Sequence, residues 1–139
     1  MKWFAASFAF LALTAVLAAS AFSATPSHSA ITIRHQMKGC HAWALGSGPY
    51  TANVATKLAV GGSITFTDND VMPHQLIKKS GPAVAFSGSP MMGRMGARVT
   101  VKFPRAGIYR FTTKPGEDYM KGVKTTGEDN VLTLTVTVR

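Results

Sequence analysis

The stretch Ala97-Arg98-Val99-Thr100-Val101-Lys102-Phe103 alternates apolar and polar residues without a break. A β-strand turns successive side chains to opposite faces, so a period of two makes one face apolar and leaves the other wet, as in a half-buried strand. Pro104-Arg105-Ala106-Gly107 follows as a hairpin connection, and Ile108-Tyr109-Arg110-Phe111-Thr112 resumes the alternation. Outward in both directions the same period returns. Leu132, Leu134, Val136 and Val138 alternate with Thr133, Thr135 and Thr137. Upstream, Ile64 with Phe66, then Val54, Thr56, Leu58 and Val60, and finally Ile31-Thr32-Ile33 continuing to Met37 do likewise. Gly46-Ser47-Gly48-Pro49, Gly61-Gly62 and Ser80-Gly81-Pro82 punctuate these runs as turns. Strands spaced by about ten residues, with turn signals between them and no sustained helical period, predict an all-β sandwich.

Ahead of the first strand, Met1-Lys2 is basic, Trp3 to Ala19 carries no charge, and small residues follow at Ala19-Ser20-Ala21. This is the layout of a secretory signal peptide. The expected organisation is a signal over residues 1–21, with cleavage between 21 and 24, a flexible lead-in over 22–30, and one domain over 31–139. The chain is then exported to a periplasmic or extracellular space. A retained anchor is the other reading of the same run, which approaches the ~18 residues that span a bilayer, and it would leave the domain membrane-tethered.

Lys and Arg outnumber Asp and Glu by 15 to 6, and the net charge of +9 becomes +8 once Lys2 leaves with the signal. A basic surface meets nucleic acid, anionic lipid or an acidic protein. Export and the scatter of the basic residues set nucleic acid aside, leaving an acidic redox partner, an anionic membrane surface, or a solvated surface that simply keeps the protein soluble. No nucleophile elbow, zinc-protease motif or phosphate-cradling loop is present, and the carboxylate pairs Glu117-Asp118 and Glu128-Asp129 sit in loops, so an enzyme is not expected.

Cys40 is the only cysteine, which excludes an intramolecular disulfide. An exported chain that keeps one thiol needs a use for it: burial, an intermolecular bond or metal ligation. His41 follows it directly. Adjacent strand residues face opposite ways, so Cys40 and His41 meet one ion only if Gly39 introduces a bulge or turn. In Asn69-Asp70-Val71-Met72-Pro73-His74, the proline ring holds His74 on a short rigid lead at the end of a strand. Thiolate, imidazole and thioether donors together favour copper. Met120 is the thioether in a loop after a strand. His35, Met92, Met95 and Glu117 are weaker candidates: His35 as an exposed strand residue, the methionines as gap-fillers or Cu(I) donors, Glu117 as an oxygen ligand.

The Asn-containing turn with Pro73-His74 after a strand resembles the first copper-ligand loop of cupredoxins, the plastocyanin and azurin type, and the strand order from Ile31 to Val138 is similar as well. Gly107-Ile108-Tyr109-Arg110-Phe111-Thr112-Thr113-Lys114-Pro115-Gly116 resembles that family's penultimate strand and second ligand loop. There the family places Cys, then His, then Met; this sequence has Thr113 in place of the Cys and Gly116 in place of the His, with Met120 near the Met. The resemblance implies a cupredoxin-like Greek-key β-sandwich or barrel with copper as its cofactor. The departure from the family pattern at Thr113 and Gly116 means that the standard blue site cannot form; either the site is lost or its missing ligands come from elsewhere, and the expectation is that Cys40 and His41 replace the missing thiolate and imidazole in a site with His74 and Met120. One-electron transfer is the role so implied. Copper storage or delivery, and a metal-free interaction module, remain as alternatives.

Overall fold

The computed structural model describes residues 25, 27–36, 39–116 and 130–139. Among the described residues, ten strands follow in chain order: β1 (His28–His35), β2 (His41–Leu45), β3 (Asn53–Leu58), β4 (Ser63–Asn69), β5 (His74–Ser80), β6 (Ala85–Ser87), β7 (Met91–Met92), β8 (Arg98–Lys102), β9 (Gly107–Pro115) and β10 (Thr133–Val138). They form two five-stranded sheets, ordered β2-β1-β4-β8-β6 and β3-β10-β9-β5-β7. Both sheets are mixed, because β1 runs parallel to β4 and β10 parallel to β3. The segment expected to carry the export signal, and the expected ligands Met120 and Glu117, lie outside the described residues.

The alternation read from the sequence becomes burial. In β8, Val99 and Val101 are buried while Arg98 and Lys102 are exposed; in β10, Leu134, Val136 and Val138 are buried between half-buried threonines. β1 begins at His28 rather than Ile31. Its parallel pairing with β4 starts at His28 opposite Ser63, which draws part of the expected lead-in into the sheet. Val60, expected to close an alternating run, falls in the turn after β3 and is exposed.

Aromatic rings join the layers. Phe66 of the first sheet lies 6.1 Å from Phe111 of the second, centroid to centroid; Trp43 flanks Phe66 at 6.5 Å, and Phe103 meets Tyr109 edge-on at 4.9 Å. All five are buried. Burying each large apolar side chain contributes about 1.5–3 kcal/mol, and the edge-to-face pair adds a smaller term.

Register determines what collects at one end. His35 closes β1 opposite His41, which opens β2. Arg34 pairs with Asn69, so β4 ends at the same pole. On the second sheet, His74 opens β5 opposite Pro115, the last residue of β9. At the other end of β9, the connection after β8 is held by the Tyr109 hydroxyl, which donates to the Arg105 carbonyl at 2.6 Å.

Candidate metal centre

The turn joining β1 to β2 delivers His41 to this pole. Gly39 and Cys40 both take left-handed backbone conformations, with φ of 72° and 52°, and the His41 N–H donates to the Gly39 carbonyl. Left-handed φ is cheap for glycine and costly for other residues. A second element clamps the turn: the Asn130 backbone N–H donates to the Gly39 carbonyl at 2.8 Å and its side-chain amide to the His41 carbonyl at 3.0 Å. A methyl group at position 39 would run into the Asn130 side chain, so glycine is required here on two counts. The turn at Gly39, the condition for Cys40 and His41 to face one ion, is therefore present.

After β4 the chain crosses to the second sheet by two successive side-chain-capped turns. Asp68 Oδ1 accepts the Asp70 N–H and Asp70 Oδ1 accepts the Met72 N–H, each at 3.0 Å. Pro73 then leads into His74. Gly116 packs on that proline: a Cβ at position 116 would stand 2.8 Å from Pro73 Cγ and Cδ. The position where the resemblance looks for a second histidine thus has no room for a side chain.

Asp70 is the hub. His41 Nδ1–H donates to Asp70 Oδ2 at 2.9 Å, and His74 Nε2–H donates to the same oxygen at 3.3 Å. A carboxylate only accepts, so for a neutral imidazole it sets the tautomer: Nε2 carries the proton and Nδ1 accepts from the Thr113 hydroxyl, 3.2 Å away. His35 Nδ1 approaches Asp70 Oδ1 to 3.7 Å. The His41 and His74 rings meet edge-on with centroids 4.7 Å apart, and the His35 ring lies 6.3 Å from that of His41. His41, His74 and Asp70 are fully buried, while the His35 side chain is 46% exposed.

The two carboxyls titrate in opposite directions. Burial pushes Asp70 up, but the hydrogen bonds from His41, His74 and the Met72 N–H outweigh it and hold the group well below the usual carboxylate range. Asp68 is pushed up to about 6, chiefly by burial, against the partial relief of the Asp70 N–H.

His35, His41 and Asp70 each offer a ligand atom within 4.8 Å of the others. Two ligand atoms about 2.1 Å from one ion, at roughly 90–110°, stand about 3.0–3.4 Å apart, close to the His–Asp70 separations seen. Imidazole nitrogen with carboxylate oxygen suits Cu(II) or Zn(II), so a His/His/Asp cluster able to hold a metal ion is present. It does not suit a thiolate-dominated blue site at the second loop, where Thr113 presents a hydroxyl to His74.

Of the residues singled out in the sequence, His41, His74 and His35 come together here. Cys40 is partly buried beside His41, and its sulfur is outside the His35–His41–Asp70 group. Met92 is buried and pairs with His74 across β5 and β7, whereas Met95 is exposed. Asp70 was missed. Its signal was the phase of β4, where Ile64, Phe66 and then Asp68 take the inward positions and a second acid follows two residues on.

No protein-family model and no curated protein sequence matches this chain. Solved structures similar to it include a purple cupredoxin from Nitrosopumilus maritimus, at 20% identity over 80% of this chain and 99% of that one, with a TM-score of 0.44. A reduced amicyanin mutant is similar at 17% identity over 79% and 82% of the two chains, with a TM-score of 0.42. A chain of a heme-copper terminal oxidase dimer is similar at 16% identity over 81% and 63%, with a TM-score of 0.45. Two mixed five-stranded sheets face to face, the first strand parallel to the fourth and the last parallel to the third, make this fold a cupredoxin-like Greek-key β-sandwich.

Proposed function

We propose that this chain is an exported copper-binding protein that holds Cu(II) at His35, His41 and Asp70, with His74, bound to the same Asp70 oxygen, as a further donor, and serves as a one-electron carrier. The observation that carries the reading is the single Asp70 oxygen shared by two buried imidazoles that arrive from different sheets. Among divalent first-row ions, a nitrogen and oxygen donor set binds copper most tightly. Bound copper would supply the one-electron couple. The chain's own residues orient the donors: Asn130 fixes the turn before His41, Pro73 and Thr113 fix His74, and the Asp68 turn fixes Asp70. Such a tied, buried set limits rearrangement between oxidation states. Cys40 and Met120 remain the proposed sulfur donors, and Met92 is the thioether whose strand pairs directly with His74.

The surface supports an acidic redox partner. Among the described residues the only acidic ones, Asp68 and Asp70, are buried, and every Lys and Arg has solvent access. Storage or delivery is the second reading, favoured by the exposure of Met91 in β7 and of Met95 three residues beyond that strand, since thioethers suit Cu(I).

Titration of the purified, metal-stripped protein with Cu(II), followed by electron paramagnetic resonance and voltammetry, tests the assignment. One copper per chain with nitrogen hyperfine coupling, lost in His74→Ala, and a reversible one-electron wave are expected. Failure to retain stoichiometric copper ends the copper reading. Tight Cu(I) binding without a reversible wave selects storage. An intense sulfur-to-copper absorption abolished in Cys40→Ser would place the thiolate among the ligands.

A further inference from the structure

We infer that Asp68 is a positioning and charge-setting residue for this centre and that it makes the centre select divalent copper over Cu(I). The inference rests on the copper reading above and adds a residue that does not itself join the His35–His41–Asp70 group.

Ile64, Phe66 and Asp68 occupy the three inward positions of β4, so a carboxyl stands where the strand's pattern asks for a hydrophobe. Burying a carboxylate is costly unless it is hydrogen-bonded or faces a cation. One oxygen has a use: Oδ1 accepts the Asp70 N–H and so sets the backbone from which the Asp70 carboxylate reaches His41 and His74. The other, Oδ2, is buried and meets no hydrogen-bond donor. The charged or titratable groups that Asp68 faces are His74 and Asp70. With neutral imidazoles and both buried carboxyls ionised, the pole carries two negative charges. A divalent ion balances both and a monovalent ion leaves one uncompensated, which is expensive in a dry interior.

Trp43 offers a competing use for Oδ2. Its indole Nε1–H is also buried without an acceptor, and Ile33 pairs with Trp43 on one side and with Asp68 on the other, so both side chains project inward from one row of the first sheet. A water shared by the two would give Asp68 a purely structural task.

The test compares Cu(II) and Cu(I) affinities of the wild type with those of Asp68→Asn, which keeps the shape and the acceptor for the Asp70 N–H but removes the charge. Asp68→Ser, whose hydroxyl also accepts that N–H, is the second variant should the first fold poorly. The expected result is a loss of at least about tenfold in Cu(II) affinity with little change for Cu(I), and therefore a midpoint potential raised by about 59 mV or more. An unchanged Cu(II)-to-Cu(I) preference in a folded variant overturns the inference and leaves Oδ2 to Trp43. A wild type that binds neither ion refutes the copper reading instead, so the two failures are distinct.

Discussion

His41 Nδ1 and Asp70 Oδ2 lie 2.9 Å apart, both buried, although 29 positions separate them in the chain. That contact ties the turn between the first two strands to the crossing between the sheets, and it organises both the stability of the pole and its capacity for a metal.

Replacing Asp70 by Ala leaves the buried N–H groups of His41 and His74 without their acceptor. Each unsatisfied group costs about 1–3 kcal/mol, so denaturant unfolding of the metal-stripped protein should show a loss of several kcal/mol. Asp70→Asn keeps an acceptor oxygen and should lose less stability, while still losing most of the Cu(II) affinity. Equal stability of the Ala variant and the wild type would contradict the hub role of this carboxylate.

Thr113 holds His74 through the ring nitrogen that does not face Asp70. Groups that orient a metal ligand in this way are worth about 10–100-fold in metal affinity. Thr113→Val should therefore weaken Cu(II) by that factor in competition titrations, with about 1 kcal/mol lost from the fold, and Thr113→Ser should restore most of both.

The metal-stripped protein should show a stability profile with two opposed slopes. Asp68 rises to about 6 on folding, against ~3.9 unfolded, so its contribution is fully present below ~3.9 and is lost as the pH climbs through 6. Asp70 is lowered on folding, so its contribution is present above ~3.9 and is lost as the pH falls through its depressed folded-state pKa. Asp68→Asn removes only the first. The stability of that variant relative to wild type should rise between pH 4 and 6, by roughly 2–3 kcal/mol, and then level off. A difference that stays flat across the window would show that Asp68 titrates normally.

Gly116→Ala drives a methyl group into the Pro73 ring. Overpacking of this kind typically costs 1–3 kcal/mol, to be read from thermal or denaturant unfolding. Because Pro73 immediately precedes His74, copper affinity should fall as well. Restoring a histidine at 116 should therefore fail to rebuild a second-loop ligand unless Pro73 is also changed.

Tyr109→Phe provides the opposite control. It removes the hydroxyl bond to the Arg105 carbonyl at the far end of β9, at a cost of about 1 kcal/mol, and should leave copper affinity unchanged because distant sites behave independently.

The sandwich was readable from the order of residues because strand periodicity is local. Val99 and Val101, or Leu134 and Val136, declare their buried face within a few positions, and the half-buried threonines with the exposed Arg98 and Lys102 declare the other. Pro73 announced a rigidly held His74 and Gly39 a turn before His41 for the same reason: each acts on its immediate neighbours. The partnership of His41, Asp70 and His74 had no such local mark. The phase of β4 points Asp68, and two residues on Asp70, inward, but only the parallel pairing of β1 with β4 and the crossing into β5 bring the Asp70 carboxylate between two imidazoles. The same distinction governs the sulfur and the threonine. Composition singled out Cys40 as a candidate donor, whereas it took the closed sandwich to present Thr113 to His74 and to leave no space at Gly116, because through-space distances depend on how whole sheets register and pack rather than on which residues adjoin.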